Sequence, residues 1–362
     1  GGRVIELLRA HKVIVCAGTG GVGKTTMSAA LGVLAARSGL KTLVITIDPA
    51  HRLAQALGLE NKPGEEVPVP DIPGLSAVMI DARREFDEFV LGAVDHGVAK
   101  SLFKNRLYQQ LASNLSGSQE FTSLVKLNRL ARGNQYDLLI LDTPPTQNAV
   151  DFLRAPEKIY ALFQDTVIGW FANPTQDENW IKRTLHRGTR LVTGALESAT
   201  GSTFIAELKD FFNHIAHLKA KIADIAETVR DLLHGPRTGF ILVTGFDEAK
   251  LKEALEFQQD LAQEGLHLRA LIVNRWFPEW IESEGSWSPG QNSDPDFQKL
   301  REFYERFATH FRRRQEELDR FLNQLGKDVP VLKLPDFKNT VLGIQDLKHV
   351  ADLLEEKWNA RK

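Results

Sequence analysis

The sequence predicts an α/β protein, a doubly wound and mostly parallel sheet with helices on both faces. Three observations carry that expectation. Short apolar runs recur between stretches of helical spacing, a glycine-rich run joins the first of them to a helix-like segment, and two of the runs end in Asp. Alternation of this kind builds βαβ units, whose ligands bind beyond the carboxyl ends of the strands.

Composition narrows the class. With 362 residues, 43% hydrophobic and 25% charged, the chain can bury a large core. A formal net charge of −2 gives no overall basic field, so no nucleic acid partner is expected. No run approaches the roughly 20 apolar residues that cross a bilayer, and none is expected to insert directly into a membrane. The first residues lack the long apolar core of a signal peptide, which makes the cytoplasm the expected location. The lone cysteine, Cys16, can form neither an intramolecular disulfide nor a zinc site of paired cysteines within one chain. Within an apolar run it reads as a small core residue.

Taken in order, residues 13–17 (VIVCA) are suited to a buried parallel strand, and residues 27–37 have the Ala and Leu content of a helix. Between them lies Gly18-Thr19-Gly20-Gly21-Val22-Gly23-Lys24-Thr25-Thr26. Strand, glycine loop and helix in this order form a Walker A phosphate cradle. Backbone N–H groups of Gly20, Gly21, Val22, Gly23, Lys24, Thr25 and Thr26 face phosphate oxygens, Lys24 reaches the β- and γ-phosphates, and Thr25 holds Mg²⁺. Further strands are expected at 42–47, 75–80, 138–141, 240–244, 271–273 and 329–332.

Two helical stretches, about 83–135 and about 150–235, are too long for simple crossovers. They predict a helical subdomain inserted into a single P-loop domain spanning 1–362. Within the second, Phe204, Leu208, Phe211, Ile215, Leu218, Ile222, Ile225, Val229 and Leu232 alternate steps of four and three, an a/d seam. It reads either as helix packing or as a partner surface. Residues 285–296 read as a flexible loop, with Trp276, Trp280 and Trp287 nearby as a docking surface or as local packing.

Two carboxylates stand at strand ends. Asp48 follows 42–47 and is placed either to orient an attacking water or to cap a helix. Asp142 follows the apolar run 138–141, as in a Walker B element whose carboxylate holds the Mg²⁺ water shell opposite Thr25. The guanine-reading pattern [NT]-K-x-D is missing, which favours ATP over GTP.

The loop, Asp48-Pro49-Ala50-His51, Asp142-Thr143-Pro144-Pro145-Thr146, Ile272-Val273-Asn274 and Leu334-Pro335 together resemble the deviant Walker A ATPases. Within them the likeness is to the branch containing ArsA and the targeting ATPase for tail-anchored membrane proteins. The resemblance covers nearly the whole chain. It implies a cytosolic ATPase using ATP/ADP and Mg²⁺, in which two subunits face each other across their nucleotides and helical subdomains hold a hydrophobic protein client. It also implies that the two Asp-containing segments act as switches I and II, and that Asn274, Pro335 and Asp336 read the adenine.

Three departures from the family pattern stand out. Thr19 occupies the position of the signature lysine that reaches the partner's phosphates. Arg52 stands in the first switch, and its guanidinium suits phosphate contact, so it reads either as a replacement cation or as a solvated or carboxylate-paired arginine, with a partner chain as the other source of charge. Cysteine pairs are missing, so neither a zinc site nor an arsenite site is expected, and only Met27 and Met79 occur. Loss of the lysine resembles bacterial ArsA-like members, for which a homodimer or a heterodimer with an ArsA-like paralogue is implied. The expected function is a dimeric ATPase switch handling a client. A MinD/ParA-like positioning factor and a weakly hydrolysing regulatory subunit are the alternatives.

Overall fold

The computed structural model describes residues 4–47, 52–60, 62–105, 108–109, 118–143, 152–155, 157, 160, 218–276, 295–325, 329–336 and 343–360. Two compact units emerge from the contacts. One comprises Gly1–Met79, Leu130–Asp151 and Leu233–Lys362, and the other Ile80–Arg129 and Phe152–Leu232.

The first unit holds an eight-stranded sheet. In chain order its described elements are α1 (Val4–Ala10), β1 (Val13–Ala17), α2 (Lys24–Arg37), β2 (Thr42–Thr46), α3 (Arg52–Leu57), β3 (Glu66–Pro68) and β4 (Leu75–Met79). These are followed by β5 (Leu138–Asp142) and β6 (Thr238–Thr244). The chain then continues through α8 (Glu248–Gln263), β7 (Leu268–Trp276), α9 (Pro295–Gln324), β8 (Val331–Pro335) and α10 (Ile344–Asn359). The strand order is β3-β4-β2-β5-β1-β6-β7-β8, parallel throughout except for the β3–β4 pair.

Every residue of β1, β2, β5 and β6 is buried, which is why these segments read as continuous apolar runs rather than alternating ones. Their register puts the carboxyl ends of β2, β5 and β1 side by side. Helix α2 is buried on nearly all sides, packed on β2 and β5 and against α1, α3 and α10. Its composition explains this, because Ala29, Ala30, Leu31, Val33, Leu34 and Ala35 are apolar around the whole circumference.

The departures from expectation have local causes. Strand β3 escaped the sequence reading because it is a three-residue, half-exposed antiparallel edge ending in Pro68. Strand β7 outruns the expected 271–273 because Arg269, Asn274 and Arg275 break its apolar run while the ladder continues. Strand β8 lies two to three residues later than expected. Trp276 takes the packing alternative: it is buried, its ring centroid 4.0 Å from Phe246 and 5.9 Å from Phe311. The Lys333 ammonium lies 4.1 Å from its ring centroid, a cation–π contact. Trp280 and Trp287 lie outside the described residues.

The second unit contains α4 (Ala82–Ala93), α5 (His96–Lys104), most of α6 (Ser118–Arg132) and most of α7 (Lys219–His234). Its core is aromatic, with Phe86 stacked on Tyr108 at 5.8 Å and Phe89 edge-on to Phe121 at 5.7 Å. Along α7 the buried stripe is Ile222, Ala226, Val229 and Leu233, whereas Ile225 and Leu232 of the expected seam are only half-buried. A straight helix of 3.6 residues per turn drifts from a strict heptad, and here the drift decides which residue faces inward. Seam positions 204–217 lie outside the described residues. Among the described residues, no helix is long and apolar enough to cross a membrane.

Glu85 is a charge buried in this unit. Its carboxylate meets the equally buried Lys126 ammonium, and Arg129 Nη2 approaches from the rim at 3.1 Å. Removing one partner of a buried pair strands the other in low dielectric. Glu85→Ala is therefore expected to cost roughly 3–5 kcal/mol in urea unfolding, while Glu85→Leu/Lys126→Leu costs far less. Equal losses in the single and the double variant would contradict this reading of the pair.

Candidate functional site at the carboxyl edge of the sheet

Strand β1 delivers the glycine loop to the carboxyl edge, and sterics dictate the residue type at two of its positions. Gly18 has φ +146°, and a Cβ there would lie 2.1 Å from the Val243 carbonyl oxygen on β6. Gly23 has φ +94°, and a Cβ there would lie 2.4 Å from Asn274 Nδ2. Side chains are therefore excluded where the loop presses on the ends of β6 and β7. That Asn274 nitrogen donates to the Val22 carbonyl at 2.9 Å, tying the loop to a residue far along the chain. Lys24 is buried, and its Nζ donates to the Thr19 carbonyl at 2.8 Å, so the loop closes around its own lysine.

Asp142 ends β5 opposite Cys16 of β1 and Thr46 of β2. Register places these groups together, and hydrogen bonds fix them. Asp142 Oδ2 accepts from Thr25 Oγ1 at 2.7 Å and from Thr46 Oγ1 at 2.9 Å. Thr143, the next residue, donates its hydroxyl to the Cys16 carbonyl at 2.9 Å and its backbone N–H to the same oxygen at 3.2 Å. The carboxylate is thus buried and held by hydroxyls from the loop helix and a neighbouring strand. Sequence reasoning did not single out Thr46. Its signal, a hydroxyl closing an apolar strand, becomes meaningful only once the β2–β5 register is known.

A hydroxyl and a carboxylate 2.7 Å apart are hard oxygen donors of the kind Mg²⁺ prefers, and Mg²⁺ retains several waters, so two protein groups fit it. Cys16 is no nucleophile, since burial pushes its thiol up to about 12.

The expected adenine elements meet at the same edge. Trp276 pairs with Pro335 across β7 and β8, and the Asp336 N–H donates to the Trp276 carbonyl at 2.8 Å. The ladder is irregular between Val273 and Trp276, and Arg275, next to Asn274, adopts φ +60°. Arg52 is the exposed first residue of α3, which packs on α2 and β4. Asp48 lies outside the described residues, as do the switch residues Pro144, Pro145 and Thr146. Gly20, Gly21, Val22, Gly23, Lys24, Thr25, Thr26, Asp142, Asn274, Pro335 and Asp336 therefore share one edge of one sheet.

A family model described as anion-transporting ATPase matches residues 11–356. The chain is 25% identical over 351 residues to a putative arsenical pump-driving ATPase 1 of Aquifex aeolicus, covering 95% of the chain and 78% of that relative. With the ATPase GET3 of Malassezia globosa it shares 25% identity over 350 residues, 95% of the chain and 90% of the relative. An ATPase ASNA1 homolog 2 of Paramecium tetraurelia is 35% identical over 145 residues, 40% of the chain and 44% of the relative.

The Thr46 bond is open to test. Thr46→Val keeps shape but removes a donor to a buried carboxylate, and is expected to destabilise by about 1–3 kcal/mol. Thr46→Ser should recover most of that in urea unfolding. A Val variant as stable as the parent chain would show that the bond holds nothing.

Proposed function

The chain belongs to the ArsA family of anion-transporting ATPases, and from that premise we propose that it is a Mg²⁺-dependent, nucleotide-driven dimeric switch that handles or targets a protein client. The observation that carries the reading is the convergence of Thr25 and Thr46 on Asp142 beside the glycine loop. A triphosphate lies along the loop amides from Gly20 to Thr26, with Lys24 exchanging its bond to Thr19 for phosphate oxygens. Thr25 and the Asp142 carboxylate hold Mg²⁺, which neutralises charge on the phosphates when bound. Asp48 orients the attacking water.

Asn274 suits adenine for a reason beyond residue type. Its Nδ2 is engaged by Val22, while its buried Oδ1 has no hydrogen-bond partner among the described residues. A buried acceptor is costly to leave unmade, and the exocyclic amine of adenine would satisfy it. The guanine carbonyl at the same position would face it oxygen to oxygen. Pro335 and Asp336 border that site from β8.

The γ-phosphate orders the switches after β2 and β5, and hydrolysis releases them. Arg52, opening the helix after the first switch, brings positive charge to the phosphates as that switch closes. Such a switch acts between two facing subunits, in a homodimer or with an ArsA-like paralogue, in the cytoplasm. A protein client fits better than arsenite, because the lone thiol is buried and held protonated. A hydrophobic segment is the class of client implied.

The test separates binding from turnover. Asp48→Asn should keep ATP affinity and lose about 10²-fold or more in hydrolysis, as expected for a group acting in the transition state. Arg52→Ala should also lower turnover at saturating ATP. Light scattering should show a dimer favoured by Mg²⁺-ATP over ADP. Failure of the parent chain to bind ATP, or an Asp48→Asn variant with undiminished turnover, would overturn the reading.

A further inference from the structure

Thr19 is not alone at the mouth of the loop. Helix α8 starts just after β6, the strand whose Val243 carbonyl presses on Gly18, so its first turn stands beside the loop. Lys250 in that turn is held from three sides. Its N–H donates to Asp247 Oδ1 at 3.0 Å, its carbonyl accepts from Thr244 Oγ1 at 3.0 Å, and its ammonium lies 2.9 Å from Glu253 Oε2. Lys250 foremost, with Thr19 assisting against the opposing effect of burial, holds the Glu253 carboxyl below its ordinary range. The Thr19 hydroxyl is itself buried and has no hydrogen-bond partner among the described residues.

We propose that Lys250 is a phosphate-contacting residue, its ammonium leaving Glu253 for the terminal phosphate of bound ATP while the Thr19 hydroxyl completes its bond to Glu253. Charge gives the motive. Lys24 is the ammonium that the glycine loop itself contributes, and a triphosphate remains anionic even with Mg²⁺ bound. Geometry gives the means. The Lys250 backbone is fixed against β6, while its four-carbon stem is flexible and its side chain is 28% exposed. Glu253 parks the ammonium when no phosphate is present, and Thr19 is the group that makes the exchange possible, because a hydroxyl can satisfy the carboxylate after the lysine leaves. A lysine at position 19 would compete for Glu253 instead. Arg52 opens a helix packed on β4, on the far side of β1 from α8, so the two cations approach the loop from opposite flanks.

This inference rests on the loop being an ATP site, and calorimetry separates the two claims. ATPγS and ADP are titrated with Mg²⁺ into the parent chain and into Lys250→Ala, Lys250→Arg, Glu253→Gln and Thr19→Lys/Lys250→Ala. Loss of a charge-assisted hydrogen bond predicts that Lys250→Ala weakens ATPγS by about tenfold to a hundredfold, with ADP changed by less than about twofold. Lys250→Arg and Thr19→Lys/Lys250→Ala recover ATPγS binding, and Glu253→Gln retains it. An unchanged ATPγS-to-ADP ratio in Lys250→Ala would overturn the proposal, as would Glu253→Gln losing as much as Lys250→Ala, which would make the pair a structural clasp. A parent chain that binds neither nucleotide refutes the ATP reading and this inference with it.

Discussion

The site depends on a register. Parallel pairing of β1, β5 and β2 places Cys16, Asp142 and Thr46 in one row at the carboxyl edge, and the first turn of α2 supplies Thr25 above it. A carboxylate buried this deeply is tolerated because hydroxyls from two other elements donate to it. A slip of one residue in β5 would turn Asp142 to the other face of the sheet and strand those donors. The hydrogen bonds and the pairing are therefore one constraint seen from two sides. The loop has a matching constraint, since Gly18 and Gly23 leave room for the ends of β6 and β7 where any side chain would collide.

What could be read in the sequence divides along the same line. Local chemistry was legible: the glycine loop between a strand and a helix, Asp142 closing an apolar strand, and Asn274 ending another are patterns of residue type over a few positions. Pairwise geometry was not. Thr46 looks like any strand threonine until β2 is laid beside β5. Lys250 and Glu253 look like an ordinary pair three residues apart on a helix until α8 is placed at the loop. The half-exposed edge β3 carries almost no apolar signal, and the sequence leaves Trp276 open between docking surface and packing because its partners Phe246 and Phe311 are remote in sequence. On α7 the heptad pattern identified the right helix but not the right face at Ala226 and Leu233, because helical drift is decided by the neighbouring helices.

On the proposed reading, Asn274 would link base recognition to the phosphate cradle. Its amide nitrogen braces Val22 and its amide oxygen is a buried acceptor, so a base bound there, as proposed, would be mechanically continuous with the glycine loop. A ligand that satisfied Oδ1 would also steady the loop, a coupling that under the proposal favours a nucleotide carrying both base and phosphates. The next residue, Arg275, adopts the left-handed φ of +60° that non-glycine residues rarely take.

As proposed, Asp142 and Thr25 together form the Mg²⁺ site of this ATPase. The most direct measurement is calorimetric titration of ATP, with and without Mg²⁺, into the parent chain and into Asp142→Asn, which keeps the side-chain shape but removes the charge. The account predicts that Mg²⁺ tightens ATP binding to the parent chain by about tenfold or more, and that Asp142→Asn loses this gain while its Mg²⁺-free affinity stays within about twofold. An equal Mg²⁺ enhancement in both proteins would contradict it.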